Sequence, residues 1–317
     1  MSPAGAAAWG TSYRPATPGD IPACGEIWRE SINDYQGRLG QLPTGEDLGP
    51  IGRLHRHLQA TDPDRFCVAA RDGRLVGFGA ATRRGRVWYL SMLFVRPGEQ
   101  GVGIGRTILD RILPGEPDVI LATGTDSAQP VSNALYAMLG MVPRVPVLSL
   151  IGRPTSREHL PPLPAAIRAE PFGVAPDGDG SSAERSTVLR ILSELDLDAL
   201  GFAHPEDHAW LWAEGRQGFF YRGPDGRPLA YGYSSPVGRV GPVAVRDREL
   251  LVPVLGHLLT AIEPRGASAL WLPGSAGPAV TALLRAGLRI EGFPVLLCWT
   301  RPFADLERYL PISPGLL

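Results

Sequence analysis

Between Leu93 and Leu113 the chain reads LFVRPGEQGVGIGRTILDRIL. Phe94 and Val95 end an apolar strand, Gly101, Gly103 and Gly105 follow at every second position, and Ile104, Ile108, Leu109, Ile112 and Leu113 then recur at helical spacing. The stretch commits the chain to a strand, a glycine loop and a helix in immediate succession. Residues without a Cβ let the backbone approach a ligand, and a helix that begins there directs unpaired N–H groups and a positive dipole end outwards. That is a cradle for a pyrophosphate. It is not a dinucleotide-binding turn, which would follow the first strand of a βαβ series with an acidic residue further on. Nor is it a Walker loop, which needs Gly-Lys-Ser/Thr, because the chain contains no lysine.

A length of 317 residues is comfortable for two domains, and an apolar fraction of 44% lets each half bury a core. Net charge is −1 and the 31 basic residues, all arginine, are scattered, so nucleic acid is not an expected partner. Cys24, Cys67 and Cys298 form no C-x-x-C pair and read as reduced thiols, with neither a disulfide framework nor a metal site. The opening MSPAGAAAWG lacks a basic n-region and a long apolar core, and no apolar run reaches spanning length. The expected location is the cytoplasm, with no membrane partner.

Tyr13 to Thr17 reads as a strand and Pro18-Gly19-Asp20 as a turn and helix cap, after which Ile21, Cys24, Ile27, Trp28 and Ile32 line one side of a helix. Glu26, Glu30 and Asp34 step by four along that helix, either as a solvated face or as an acidic wall that attracts a cationic amine. Residues 35 to 50 break into glycines and prolines and read as a loop. His55 and His57, one residue apart, fall on different faces of the next helix and read as surface residues. Strands Phe66 to Ala70 and Arg74 to Thr82 meet at Asp72-Gly73, a strong hairpin signal, and Val87 to Val95 delivers the chain to the glycine loop. Asp118 to Thr123 reads as a buried strand, Pro130 opens a helix that Gly140 closes, and Val145 to Ile151 is a last strand before the linker prolines 154, 161, 162 and 164.

Four marks in this order resemble the GCN5-related N-acetyltransferase (GNAT) superfamily: Arg14-Pro15-Ala16-Thr17 with Asp20, Leu93-Phe94-Val95, Gln100 to Gly105, and Asn133-Ala134-Leu135-Tyr136 ending in Gly140-Met141. The resemblance covers about residues 11 to 153. It implies an α+β (α/β three-layer) fold with a mixed, mostly antiparallel sheet flanked by helices, and acetyl-CoA as co-substrate without a metal. It further implies that Leu93, Phe94 and Val95 pair with the pantetheine. Gln100, Gly101, Val102, Gly103, Ile104, Gly105 and Arg106 would hold the pyrophosphate, and Asn133 and Tyr136 would complete the cofactor site. Tyr136 would be the acid that protonates the leaving thiolate. Many relatives carry a glutamate on the strand before the loop, whereas Val87 to Val95 has no carboxylate. The remaining candidate bases are Glu30 and Asp34 acting through water, unless the amine arrives neutral.

The pattern recurs 150 residues on, from Val95-Arg96 to Val245-Arg246. Ile167-Arg168-Ala169 echoes the opening strand, Asp225-Gly226 the hairpin, Ala286-Gly287-Leu288 the closing glycine and Pro294-Val295-Leu296 the stretch Pro146-Val147-Leu148. In this register Leu250, Leu251, Pro253 and Leu255 replace Gln100, Gly101, Gly103 and Gly105, and Leu283 stands opposite Tyr136. The expected organisation is therefore a tandem: a catalytic GNAT domain over residues 11–154, a proline-rich linker over 155–165, and a degenerate GNAT-like domain over 166–317. His204 and His208 stand at i,i+4, a spacing that suits metal ligation, but Pro205 and the lack of a third obvious ligand favour a packed interdomain helix, with a wall that shapes the substrate site, built with Trp210 and Trp212, as the functional alternative.

The function this reading favours is an N-acetyltransferase that moves acetyl from acetyl-CoA to the primary amine of a small molecule, by direct attack in a ternary complex, as a monomer or homodimer. A protein or peptide acetyltransferase and a non-catalytic acyl-CoA sensor are the alternatives.

Overall fold

The computed structural model describes residues 10–172 and 182–317. Its elements run β1 (Thr11–Pro15), α1 (Ile21–Arg38), α2 (Gly49–Thr61), β2 (Phe66–Arg71), β3 (Arg74–Arg84), β4 (Val87–Val95), α3 (Ile104–Ile112), β5 (Ile120–Asp126), α4 (Pro130–Ala137) and β6 (Val142–Gly152). The rest of the chain supplies β7 (Arg168–Phe172), α5 (Ser182–Ala199), α6 (Pro205–Ala213), β8 (Gln217–Arg222), β9 (Pro228–Ser234) and β10 (Val243–Val245). It ends with α7 (Leu251–Ala261), β11 (Ser268–Pro273), α8 (Gly277–Arg285), β12 (Arg289–Ile290), β13 (Val295–Trp299) and β14 (Tyr309–Leu310). None of the described helices is long and apolar enough to cross a membrane. The expected class holds, with mostly antiparallel sheets and flanking helices.

Two compact units divide the chain: residues up to Arg83 together with Trp88–Val119, and Arg84–Val87 together with Ile120–Leu317. In the first unit β1, β2, β3 and β4 lie side by side in that order. β1 runs antiparallel to β2 with Tyr13 opposite Ala69, and β2 antiparallel to β3 with Val68 opposite Phe78. The hairpin turns on Asp72 and Gly73, whose φ values of 50° and 75° are the left-handed pair that Asp-Gly tolerates. Before α1, the Arg14 guanidinium grips Asp20 at 2.7 and 2.8 Å, and the Thr17 N–H donates to the same carboxylate at 2.8 Å. α3 lies close against the sheet because β3 carries glycines there; a Cβ at Gly79 would come within 2.6 Å of Ile108 Cγ2. That close approach sets where the first turn of α3 ends up.

The two histidines of α2 are buried, contrary to their reading as surface residues. Face assignment from spacing presumes a helix covered on one side only, whereas α2 also buries Leu58. His55 lies edge-on to Phe66 and Phe78, at centroid distances of 6.2 and 5.0 Å, and neither ring nitrogen has a hydrogen-bond partner among the described residues. Burial pulls its pKa from 6.5 to about 4. The unfolded chain binds this proton near pH 6.5 and the folded one only near about 4. Stability is therefore full above pH 6.5, declines as the pH falls towards 4, and is lower by about 3 kcal/mol below that. Urea unfolding at pH 7 and pH 4.5 should show that loss in the parent protein and a much smaller one in His55→Leu. Equal pH dependence in both would locate the acid sensitivity elsewhere.

The second unit holds two sheets. In one, β5, β13, β6 and β11 lie side by side, all antiparallel, and β12 also pairs with β6. β6 is long enough to serve twice: residues Val142 to Val147 pair with β13, and Val147 to Gly152 pair with β11. β13, from the far end of the chain, lies between β5 and β6, with Leu297 opposite Gly124 and Val145. The compact units consequently do not divide at the linker 155–165, since strands from both sides of it share one sheet. The other sheet has the order β14-β10-β9-β8-β7, with Ala244 opposite Tyr231 and Tyr231 opposite Phe220. Leu255 and Leu258 of α7 pack with Val243, Leu270, Leu272 and Leu283 in its core. Gly232 of β9 repeats the device of Gly79, since a Cβ there would lie 2.5 Å from Leu258 Cδ1.

Candidate active site

The glycine loop leaves β4 at Arg96, makes one tight turn over Pro97–Glu99 and enters α3 through Gln100 to Gly103. Gly101 and Gly103 have φ of 81° and 91°, values that cost an L-residue about 1–2 kcal/mol. A Cβ at either would meet nothing within 4 Å, so handedness and not crowding selects glycine, and the loop face is open. The first backbone bond of α3 runs from the Thr107 N–H to the Gly103 carbonyl at 3.0 Å, and Thr107 Oγ1 donates to the same oxygen at 3.1 Å. The amides of Ile104, Gly105 and Arg106 have no preceding turn to bond to, and no side chain caps them. Ile104 buries its side chain while its amide belongs to this exposed helix end.

Leu93, Phe94 and Val95 are half-buried at the end of β4, with the Phe94 ring stacked on Phe78 at 5.7 Å. The Val95 carbonyl already accepts two hydrogen bonds, from Gln100 Nε2 at 2.8 Å and from Ser31 Oγ at 3.0 Å. Gln100 thus folds its side chain back onto the strand it has just left. The three acids of α1 are all paired: Glu26 with Arg29 at 2.5 Å, Glu30 with Arg96, and Asp34 with Arg38 at 2.6 Å. Of these, the Asp34 pair is an i,i+4 contact with a largely exposed arginine, the kind of surface pair that contributes little.

Tyr136 and Asn133 belong to the second unit, on α4, which Pro130 opens as the sequence indicates. Tyr136 is buried, and burial drives its pKa well above the ordinary tyrosine value although the Ser132 side chain hydrogen-bonds it. It is a neutral O–H donor throughout the physiological range. Asn133 Nδ2 spends its donors on the Asp126 and Gln129 carbonyls, at 3.0 and 2.8 Å, which braces the β5–α4 turn. Its Oδ1 is buried without a partner among the described residues. Burial pushes the Cys24 thiol to about 12 and that of Cys298 to about 11, so neither is a thiolate nucleophile near neutrality.

At the corresponding place in the second unit there is no cradle. Asp247 accepts the Glu249 N–H at 3.0 Å, a turn over Arg248–Leu250 runs directly into α7, and Leu251, Pro253 and Leu255 are buried. A carboxylate stands beside this helix start, where an anion would be repelled.

The same unit contains a buried polar chain of which the sequence marks only the i,i+4 pair His204 and His208, since Asp196 and its tyrosine partners come from other elements. Asp196 of α5 receives Tyr231 Oη–H at 2.5 Å and His208 Nε2 at 2.9 Å, with His204 Nε2 at 3.5 Å. The other nitrogen of His208 meets Tyr233 Oη at 2.9 Å, and His204 Nδ1 faces Asp207 at 3.6 Å. Arg84 then holds Asp207 through two nitrogens, at 3.1 and 3.2 Å. Asp196, His204 and His208 bring ligand-type atoms within 4.8 Å of one another. Their geometry, however, is that of hydrogen bonding. The two rings are stacked, tilted by 23° with centroids 4.4 Å apart, and their Nε2 atoms meet different oxygens of the Asp196 carboxylate. Burial lowers the His204 pKa, but the Asp196 carboxylate outweighs it and the net shift is upward; His208, for which burial dominates, is shifted down. Of the two histidines, His204 is therefore the one more readily protonated, between the carboxylates of Asp196 and Asp207.

Residues 29–141 match the acetyltransferase (GNAT) family. That match takes in the glycine loop and α4. Members of that family bind acetyl-CoA or CoA and transfer acetyl groups. No curated protein matches the sequence. Among solved structures, a protein assigned as an acetyltransferase from Pyrococcus horikoshii is 15% identical with a TM-score of 0.72, over 98% of this chain and 96% of that one. A GCN5-related N-acetyltransferase from Sphaerobacter thermophilus is 17% identical with a TM-score of 0.59, over 94% and 98%. A tandem GNAT protein from the clavulanic acid biosynthesis pathway is 16% identical with a TM-score of 0.55, over 92% and 99%. At these identities the likeness is one of fold, and it extends over 92–98% of this chain.

Proposed function

We propose that the protein is an N-acetyltransferase that transfers acetyl from acetyl-CoA to the primary amine of a small molecule, with the working site in the first half of the chain. One observation carries the reading: an open loop with two left-handed glycines leads into a helix whose first amides are uncapped. Backbone N–H groups of Gly101 to Arg106 bind the pyrophosphate, and the end of β4 at Leu93 to Val95 aligns the pantetheine arm. Since the Val95 carbonyl is occupied twice, that alignment falls to Leu93 and Phe94. Tyr136 supplies the proton to the departing thiolate, while the amine attacks the thioester without a covalent enzyme intermediate. Asp34 accepts the amine proton through water, or the amine arrives neutral. The degenerate half, lacking a cradle, contributes no second acetyl-CoA site.

Release of free CoA thiol from acetyl-CoA should be followed across a panel of small amines and of peptides. Turnover with small amines is the expected result. Turnover with peptides alone would replace this reading with a peptide acetyltransferase, and tight CoA binding without turnover on any acceptor would make the protein a sensor.

A further inference from the structure

We infer that Glu30 and Ser31, consecutive residues of α1, are positioning residues that clamp the junction of β4 and the cofactor loop, and that Glu30 is not the proton acceptor. The inference rests on the reading that the Gln100 to Arg106 loop binds CoA.

Ser31 continues the buried stripe of Cys24 and Ile27 and is itself buried. In mid-helix a serine hydroxyl commonly bonds back to a carbonyl of its own helix. Here it reaches 64 residues along the chain and donates to the Val95 carbonyl at 3.0 Å. Gln100 Nε2 donates to that same oxygen at 2.8 Å, which closes the loop on its own stem. The next residue is held from the same helix. Arg96 pairs with the Glu30 carboxylate, its Nε donates to the Leu75 carbonyl at 3.0 Å, and its N–H donates to the Val76 carbonyl at 2.9 Å. Adjacent residues of α1 therefore grip adjacent residues of the strand end, and β3 grips the second of them as well.

This arrangement has a mechanical consequence. The Val95–Arg96 peptide is the last fixed point before Gly101 and Gly103, whose own conformations have no side chain to restrain them. With both lone pairs of the Val95 oxygen engaged, that peptide plane cannot rotate without losing two hydrogen bonds, so the amides that follow start from one orientation. Without Ser31, Gln100 is the one remaining partner of that oxygen that the geometry provides. Glu30, turned onto a guanidinium that stays charged at every working pH, is a poor proton acceptor and a good anchor.

The test uses the full-length protein, with CoA as the binding probe and acetyl-CoA turnover as the second readout. Ser31→Ala should weaken CoA binding and raise the acetyl-CoA KM by about fivefold, the loss of one buried neutral hydrogen bond. Its kcat should stay within about threefold, and Ser31→Thr, which keeps the hydroxyl, should restore affinity. Glu30→Gln should also raise the acetyl-CoA KM while leaving the acid limb of the kcat pH profile in place. An affinity for CoA in Ser31→Ala equal to that of the parent overturns the clamp. So does a Glu30→Gln protein that loses turnover by two orders of magnitude together with that acid limb, because Glu30 is then the base. Urea midpoints of the variants separate a loop effect from unfolding. A parent protein that binds no CoA overturns the loop reading itself and the clamp with it, whereas parent binding with unaltered variants overturns the clamp alone.

Discussion

Arg84→Met is expected to destabilise the second unit by about 3–5 kcal/mol, the cost of breaking a buried charge pair from one side. Arg84 is 5% exposed and Asp207 2%, and two guanidinium nitrogens hold the carboxylate. Removing the cation takes two charge-assisted hydrogen bonds from Asp207, and His204, at 3.6 Å, is already engaged by Asp196. The buried carboxylate then lacks its cationic partner, a costly state for a charge removed from water. A double variant, Arg84→Met with Asp207→Leu, deletes one charge of each sign and keeps the His204–Asp196 contact, so most of the stability should return. Linear extrapolation of urea unfolding gives both numbers. A single-variant loss below about 1 kcal/mol would mean that the pair is as dispensable as an exposed one.

Tyr136→Phe should lower kcat by about 10²-fold or more, in line with the removal of a general acid, while CoA affinity hardly changes. The substitution removes one oxygen from a buried side chain and leaves the apolar contacts in place. Because burial raises the tyrosine pKa, the hydroxyl keeps its proton well above neutral pH and no loss of acid function is expected below pH 10. The readouts are steady-state turnover over pH 6 to 10 and CoA titration. Turnover equal to that of the parent would remove Tyr136 from the proton transfer and leave it as a packing residue.

The first half of the fold was legible because its signals are local. An Asp-Gly pair between alternating strands, a proline at a helix start and glycines at positive φ act through steric preferences of one or two residues, and all of these lie where the sequence places them. The open glycine turn into α3 was legible for the same reason, and so was the buried helix start at Leu250 to Leu255. His55 and His57 show where local reasoning ends, since the Phe66 and Phe78 rings that bury His55 belong to strands folded against α2. The role of Glu30 shows the same limit: its stripe with Glu26 and Asp34 was visible, but the arginine that holds it lies 66 positions away.

By itself the amino-acid sequence determined the strand–loop–helix unit and the contrast between the glycines at 101 and 103 and the bulky residues at 250 to 255, because each depends on what neighbouring residues can or cannot adopt. Only the tertiary structure decided how the two copies share strands. Nothing within Val295–Trp299 states that it will lie between β5 and β6, because an apolar strand can pair along either edge and the choice is made by the register of distant partners. The chain from Arg84 to Asp196 was decided in the same way. Its members come from a strand end, two helices and a sheet face, and only burial together, away from water, makes their charges depend on one another.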